Sequence, residues 1–182
     1  MKRFLILIVC VIFILCGCGS SPAETVPETT TEPLMSFSEY AEMVSSVVDS
    51  IYADSAILAS AIRYQNTYWS SLEKLSGTVT PEKLVEAAGK WLEEESEGEY
   101  TFELLSESKK NIVSMQNDIV SVSVDSPTDE IGAAFEAYFS AYIALYDITM
   151  SPPGSQQELV DAANSQINTI SNAKTMLDNL LS

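Results

Sequence analysis

The chain has 182 residues and carries 26 acidic against nine basic side chains, a formal net charge of −17. Binding to nucleic acid or to anionic lipid needs clustered lysine and arginine, so this charge argues against both partners. The chain also lacks histidine, which removes the commonest general base at neutral pH and the catalytic triads that depend on it. We therefore expect no enzyme, and the sequence predicts no catalytic residue, no metal site and no cofactor.

The first residues have the organisation of an export signal. Lys2 and Arg3 precede an unbroken apolar run, Phe4 to Leu15, and the chain turns polar beyond Cys18. A membrane-spanning helix needs about 20 apolar residues, and this run is shorter. An uncleaved membrane helix is therefore the less favoured alternative.

The segment Leu15-Cys16-Gly17-Cys18 resembles the lipobox of bacterial lipoproteins, over residues 1–18 of the chain. Cys16 stands where that family usually has alanine or serine. The resemblance implies that a diacylglyceryl group is attached to the Cys18 sulfur and that a peptidase cuts between Gly17 and Cys18, removing residues 1–17. It places the protein at the extracytoplasmic face of a bacterial membrane. An ordinary thiol at Cys18 is the alternative, and a lone cysteine outside the cell would be a reactive liability.

Residues 18–35 are predicted to form a disordered linker behind the lipidated cysteine. Prolines deny the segment regular structure, and glutamates spaced between them repel one another, so such segments stay extended. Loss of Lys2 and Arg3 leaves seven basic against 26 acidic residues, a charge of −19 on the mature chain. The linker would hold this acidic domain away from an acidic membrane. Gly19, rather than an acid, follows Cys18, which favours the cell membrane over an outer membrane.

Residues 36–76 are predicted to form one long amphipathic helix. Apolar residues recur every seven positions and form a stripe with their neighbours one turn on, including Phe37, Tyr40, Val44, Val47, Ile51, Leu58, Ala61, Tyr68 and Leu72. Asp54 and Gln65 interrupt this stripe. Asp54 either rotates outward, because a straight helix drifts against a heptad, or contacts a buried ligand.

A second helix is predicted to start at Thr80-Pro81-Glu82 and to include Leu92, since threonine caps and proline suits a first turn. The run from Glu93 to Glu99 lacks the spacing of a calcium-binding loop and is predicted to be a solvated acidic turn. A third helix is predicted over residues 101–123. The sequence leaves open whether it continues the second through a kink at Gly98. Residues 119–124 alternate like a strand, but with no expected partner they are predicted to be a frayed helix end.

A fourth helix is predicted over residues 127–150, with Ser126 as its cap. It is the most aromatic part of the chain, and its rings are expected to fill the core; a stacking groove for a sugar or peptide is the alternative. After the break at residues 151–154, Ser155 and Glu158 predict a capping box and a fifth helix that runs to Leu181.

These elements predict an all-α fold for residues 36–182, an elongated antiparallel bundle of four to five amphipathic helices. Two functions fit it. The first is a membrane-anchored extracytoplasmic lipoprotein that acts as a structural or protein-interaction module, with an envelope protein as partner. The second is a solute- or peptide-binding lipoprotein with its ligand site inside the bundle. The candidate residues for that site are Asp54, Arg63, Gln65, Tyr138 and Tyr142.

Overall fold

The computed structural model describes residues 34–75 and 77–182. These residues form five α-helices and no extended strand, so the predicted all-α bundle is confirmed. The helices are α1 (Phe37–Lys74), α2 (Pro81–Glu95), α3 (Phe102–Ser121), α4 (Asp129–Met150) and α5 (Gln156–Leu180). At 1.5 Å per residue α1 is about 57 Å long, and it sets the length of the bundle. The export signal, its cleavage site, and residues 18–33 of the linker lie outside the described residues.

Side-chain caps fix the starts of four helices, because each hydroxyl accepts a hydrogen bond from an otherwise unpaired backbone N–H of the first turn. The capping residues are Ser36, Thr80, Thr101 and Ser155. In α1 the cap is a complete capping box, since the Ser36 N–H also donates to Glu39 Oε2 at 3.1 Å. The Ser155 hydroxyl accepts from the Glu158 N–H at 3.3 Å, one half of the predicted box.

The predicted cap of α4 is wrong. Ser126 does not cap this helix; its hydroxyl donates to Asp125 Oδ1 at 3.2 Å. The hydroxyl lies against the carboxylate of the preceding residue rather than against a backbone N–H of the first turn. The helix begins two residues later than predicted, at Asp129, behind an N-cap Thr128 whose side chain makes no capping hydrogen bond.

The bundle has four roughly parallel or antiparallel segments, which we call legs: α1, α2 with α3, α4, and α5. The second leg consists of two helices in succession. Trp91 of α2 stacks on Tyr64 in the second half of α1, whereas Ile119 of α3 lines the same cleft as Tyr40 in the first half. α2 and α3 therefore both run antiparallel to α1, one behind the other.

A tight turn separates α2 from α3 and answers the question that the sequence left open at Gly98. Glu97 and Gly98 both adopt left-handed backbone conformations, with φ of 52° and 84°. Ser96 fastens the turn, because its hydroxyl donates to the Leu92 carbonyl at 2.7 Å and accepts from the Tyr100 N–H at 3.0 Å. The two helices are separate, and the leg is broken rather than kinked.

The remaining two legs complete an up-down-up-down arrangement. The Tyr138 hydroxyl of α4 donates to the Val48 carbonyl of α1 and Gln65 reaches Thr149, so α4 runs parallel to α1. Gln156 at the start of α5 donates to the Asn66 carbonyl, and the last residues of α5 lie beside Val48, so α5 returns antiparallel. The predicted antiparallel order of neighbouring legs follows from these contacts.

The segment after α3 has a partner that the sequence analysis did not expect. Met35, assigned from the sequence to the linker, donates its N–H to the Ser123 carbonyl at 3.0 Å and accepts from the Asp125 N–H at 3.1 Å. This is a single parallel bridge between Met35 and Val124 rather than a frayed helix end. It forms because α3 ends where α1 begins, which brings the backbone just before α1 alongside.

The core lies between α1 and the aromatic face of α4, closed by the apolar faces of the other helices. Tyr138, Tyr142 and Leu145 of α4 are fully buried against Ile51 and Leu58 of α1. This confirms the expectation that α4 aromatics fill the core. Among the described helices, none combines the length and apolar character that crossing a bilayer requires.

Candidate functional site

Four of the five candidate ligand residues meet along one buried seam between α1 and α4. We call these four, Asp54, Gln65, Tyr138 and Tyr142, the polar seam. The Tyr142 hydroxyl donates to Asp54 Oδ2 at 2.9 Å, and the Tyr138 hydroxyl donates to the Val48 carbonyl at 3.1 Å. Both tyrosines are fully buried, and Asp54 is 8% exposed. The heptad positions that looked irregular in the sequence therefore carry the contacts that register α1 against α4.

Gln65 completes the seam at the far end of α4. Its Nε2 donates to the Thr149 carbonyl at 2.9 Å, which satisfies one of the helix-terminal carbonyls that have no partner within the helix. Its Oε1 is buried without a hydrogen-bond partner among the described residues, and so is the hydroxyl of Ser55. The seam thus pairs most of its polar groups internally and leaves one of its own oxygen atoms, Gln65 Oε1, unpaired among the described residues.

Burial controls the ionisation of the seam. Loss of solvent raises the pKa of Asp54 above its ordinary value, and hydrogen bonds from Ser108 and Tyr142 oppose part of that rise. Burial also raises the pKa of Tyr138 and of Tyr142, in the latter case reinforced by the Asp54 carboxylate. Both tyrosines therefore remain protonated donors under ordinary conditions, as their hydrogen bonds require.

Arg63 does not join the other four residues. Its side chain is exposed on the outer face of α1, whereas Gln65, two residues on, is fully buried. Positions two apart on a helix point about 200° apart, so both could not face the same core. The site predicted from the sequence is therefore brought together without its only arginine.

None of the surface clefts described in the structure is lined by the polar seam. One of them, about 770 Å³, lies between α4 and α5 and includes four alanines in its lining. Each of the four seam residues already has a hydrogen-bond partner within the protein. The seam therefore fixes the register of α1 against α4 and provides partners for buried polar groups.

A cluster of partly accessible aromatic groups lies elsewhere, between α1 and α2. Tyr64, Tyr68 and Trp91 are half-buried and stack on one another, and they line an open cleft of about 310 Å³. Sequence reasoning looked for a stacking groove on α4 and missed this cluster. The available signal was the four-residue spacing of the two tyrosines, which places both on one face of α1.

The acidic run between α2 and α3 does not converge on a point. Its first three glutamates extend α2, and all five carboxylate side chains from Glu93 to Glu99 are exposed. In the part of the chain that the structure describes, no three acidic or cysteine side chains are gathered as a metal ion requires.

Gly17 and Cys18, the predicted cleavage and lipidation residues, lie outside the described residues. Comparison with known proteins adds no constraint on any of these sites, since no protein family, curated protein or solved structure matches the chain.

Proposed function

We propose that this chain is a lipid-anchored extracytoplasmic lipoprotein of a bacterial cell envelope, whose helical bundle acts as a structural or protein-interaction module. The observation that carries the proposal is the segment Leu15-Cys16-Gly17-Cys18 at the end of a short apolar run behind Lys2 and Arg3. In this proposal Cys18 carries the lipid, and cleavage between Gly17 and Cys18 removes the signal.

The anchor accounts for how an acidic domain is held at a membrane. One acyl chain binds a bilayer only marginally, whereas two hold a protein stably, so a diacylglyceryl cysteine needs no help from the folded domain. That suits a chain of net charge −17, which anionic lipid would repel. Gly19 and the proline- and threonine-rich segment behind it favour the cell membrane over an outer membrane.

The interaction role is favoured over a solute-binding role by the contacts of the polar seam. Asp54, Gln65, Tyr138 and Tyr142 hold α1 and α4 in register and make no wall of a described cleft. Recognition would then fall to exposed surfaces, with an envelope protein as partner. The proposal includes neither catalysis nor nucleic acid.

The anchor is tested by labelling cells with an alkyne-bearing fatty acid and detecting the label on the immunoprecipitated chain. We expect the wild-type chain to be labelled and to sediment with membranes. Cys18→Ser should lose the label and leave the membrane fraction. Cys16→Ser is the matched control and should keep both properties, because serine is common at that position of a lipobox. Label that persists in Cys18→Ser would contradict the assignment.

The interaction role is tested in living cells by photo-crosslinking from an exposed position. A photoreactive phenylalanine analogue at Met176, whose side chain is 55% exposed, should give a discrete higher-mass adduct. The adduct should disappear when Cys18→Ser releases the chain from the membrane. An adduct that is unaffected by Cys18→Ser would show a partner that does not depend on the anchor, against this proposal.

A further inference from the structure

The cleft between α1 and α2 has the composition of a ligand site rather than of ordinary helix packing. We call it the aromatic cleft, formed around Tyr64, Tyr68 and Trp91. Its volume of about 310 Å³ lies at the small end of the range for ligand sites, roughly 300–1,000 Å³. The three rings are half-buried, so α1 and α2 hold them in place while part of each stays accessible to solvent.

The rings form steps rather than a closed stack. Tyr64 and Tyr68 are nearly parallel, at 9°, with ring centroids 6.3 Å apart, and Tyr64 and Trp91 lie at 13° and 5.0 Å. Stacked rings lie about 3.5 Å apart, so a centroid distance of 6.3 Å leaves the two tyrosines offset sideways by about 5 Å. An offset of that size leaves part of each ring face available to a flat, apolar surface of a ligand.

The charges around the rings cancel. Two lysines and two glutamates of α2 line the cleft, and the Lys90 Nζ lies 2.7 Å from Glu86 Oε1 one helical turn away; the four residues are Lys83, Glu86, Lys90 and Glu94. This balance is unusual in a chain whose net charge is −17. It gives the cleft no preference for a cation or an anion. It does supply both donors and acceptors of hydrogen bonds, which suits a neutral ligand that carries several hydroxyl groups.

We propose that the aromatic cleft binds a neutral oligosaccharide, one sugar ring lying on the offset Tyr64–Tyr68 step beside Trp91, with its hydroxyl groups bonded to the flanking lysines and glutamates. A pyranose ring presents an apolar C–H face and a polar rim, and these two features match the ring faces and the charged rim of the cleft. A charged peptide or a quaternary ammonium ion would match only one of them. This proposal stands independently of the lipid anchor.

The test uses the full chain, purified from whole-cell extract in a detergent without a sugar or quaternary ammonium headgroup. The chain has two tryptophans, and Trp69→Phe leaves Trp91 as the only fluorophore of that kind. Cellotriose and triacetylchitotriose are the two probes, one plain and one N-acetylated. We expect at least one to change Trp91 fluorescence saturably, with a dissociation constant of about 1 mM or lower. The affinity should not change between 20 and 500 mM NaCl, because the ligand is neutral.

The sugar affinity of variants inside and outside the aromatic cleft shows whether the sugar binds there or elsewhere on the surface. Tyr64→Ala should weaken binding by about tenfold. Tyr52→Ala is the matched control and should bind as the parent does, since Tyr52 is an exposed tyrosine of the same helix with Lys174 over its ring. If Tyr64→Ala loses helical circular dichroism, Glu94→Gln replaces it, and a loss of about threefold is expected from this exposed side chain.

Three outcomes would overturn the proposal. The first is the absence of a saturable response to either sugar up to about 20 mM. The second is saturable binding of tetramethylammonium chloride, or of a proline-rich peptide, without binding of the sugars. The third is an equal loss of sugar affinity in Tyr64→Ala and Tyr52→Ala, which would place the sugar outside the aromatic cleft.

Discussion

Two adjacent side chains of α1 differ in whether their buried polar atoms have a hydrogen-bond partner. Asp54 is buried but receives the Tyr142 hydroxyl at 2.9 Å. Ser55 is buried with its hydroxyl unpaired among the described residues, whereas Ser60 on the same helix donates to the Ala56 carbonyl at 3.0 Å. A paired polar atom costs the fold little, and an unpaired one costs the desolvation of its group. The two residues therefore give different expectations on substitution, a pH-dependent change of stability for Asp54 and a gain of stability for Ser55.

Asp54 should make the free energy of unfolding depend on pH. Because burial raises its pKa, the folded chain binds more protons than the unfolded chain from the ordinary value of 3.8 up to the raised pKa. Stability from this group is therefore lost as the pH rises through that window. Asp54→Asn cannot titrate, so its stability relative to wild type should increase over the same window and then level off. Urea denaturation between pH 3 and pH 7 measures the difference.

The control for Asp54 is Asp49→Asn, which changes an exposed carboxylate of the same helix. It should leave the shape of the pH profile as it is in the wild type. Parallel profiles for wild type and Asp54→Asn would contradict the raised pKa.

Ser55→Ala should stabilise the fold by about 1 kcal/mol, because it removes an unpaired buried hydroxyl and alanine is the better helix former. For a chain of this size that corresponds to a rise in Tm of roughly 2–4 °C, measurable by circular dichroism. Ser60→Ala is the matched control, and we expect a smaller effect because the Ser60 hydroxyl already has a partner. A loss of stability in Ser55→Ala would mean that an ordered water or another group satisfies the hydroxyl.

The sequence predicted that Asp54 and Gln65 were exceptional, because each interrupts an apolar stripe. It could not predict their partners, since Tyr142 and Thr149 lie more than 80 residues further along the chain. Arg63 is a different case. The period of the helix alone places it opposite Gln65, so its removal from the candidate site needed no structure.

At the scale of elements, local chemistry fixes where helices begin and stop. The hydroxyls of Thr80 and Ser155 cap the helices that the sequence assigned to them. Ser126 does not cap α4, and its hydroxyl donates to the Asp125 carboxylate instead. Helix starts were therefore predictable where a single capping side chain fixes them. They were less predictable where a neighbouring side chain offers the capping residue another hydrogen-bond partner.

The turn between α2 and α3 carries a residue that is poorly suited to its backbone. Glu97 has φ of 52°, a left-handed conformation that costs an ordinary residue about 1–2 kcal/mol and that asparagine tolerates better. Glu97→Asn should therefore be more stable than Glu97→Gln by about 0.5–1 kcal/mol. Both variants remove the same charge, so chemical denaturation of the pair isolates the backbone effect. Equal stability of the two variants would contradict the left-handed assignment.

At the scale of the whole molecule, the fold class followed from periodicity, but the arrangement of the legs did not. Two helices form one leg because Glu97 and Gly98 turn the chain without reversing its direction. No feature of the sequence says that α2 and α3 lie end to end against α1. The aromatic cleft was missed for the same reason, since Tyr64 and Trp91 meet only after α2 docks.

The net charge of the molecule should oppose its folding. Three ion pairs at the surface of the described residues offset little of it, because such pairs contribute about 0–1 kcal/mol each; the lysine is half-buried in two of them. Raising NaCl from 10 to 200 mM shortens the screening length to roughly 7 Å and should increase stability by about 1 kcal/mol. Thermal denaturation measures the change, and KCl should give the same result. A decrease in Tm over this range would contradict net self-repulsion.

The bridge at Met35 decides how the bundle responds to tension. Its N–H bonds the Ser123 carbonyl and its carbonyl accepts from the Asp125 N–H, so the chain that enters at residue 34 is attached to the α3–α4 connection as well as to α1. A force applied from that end is shared between two legs and must shear both hydrogen bonds together before α1 can peel away turn by turn.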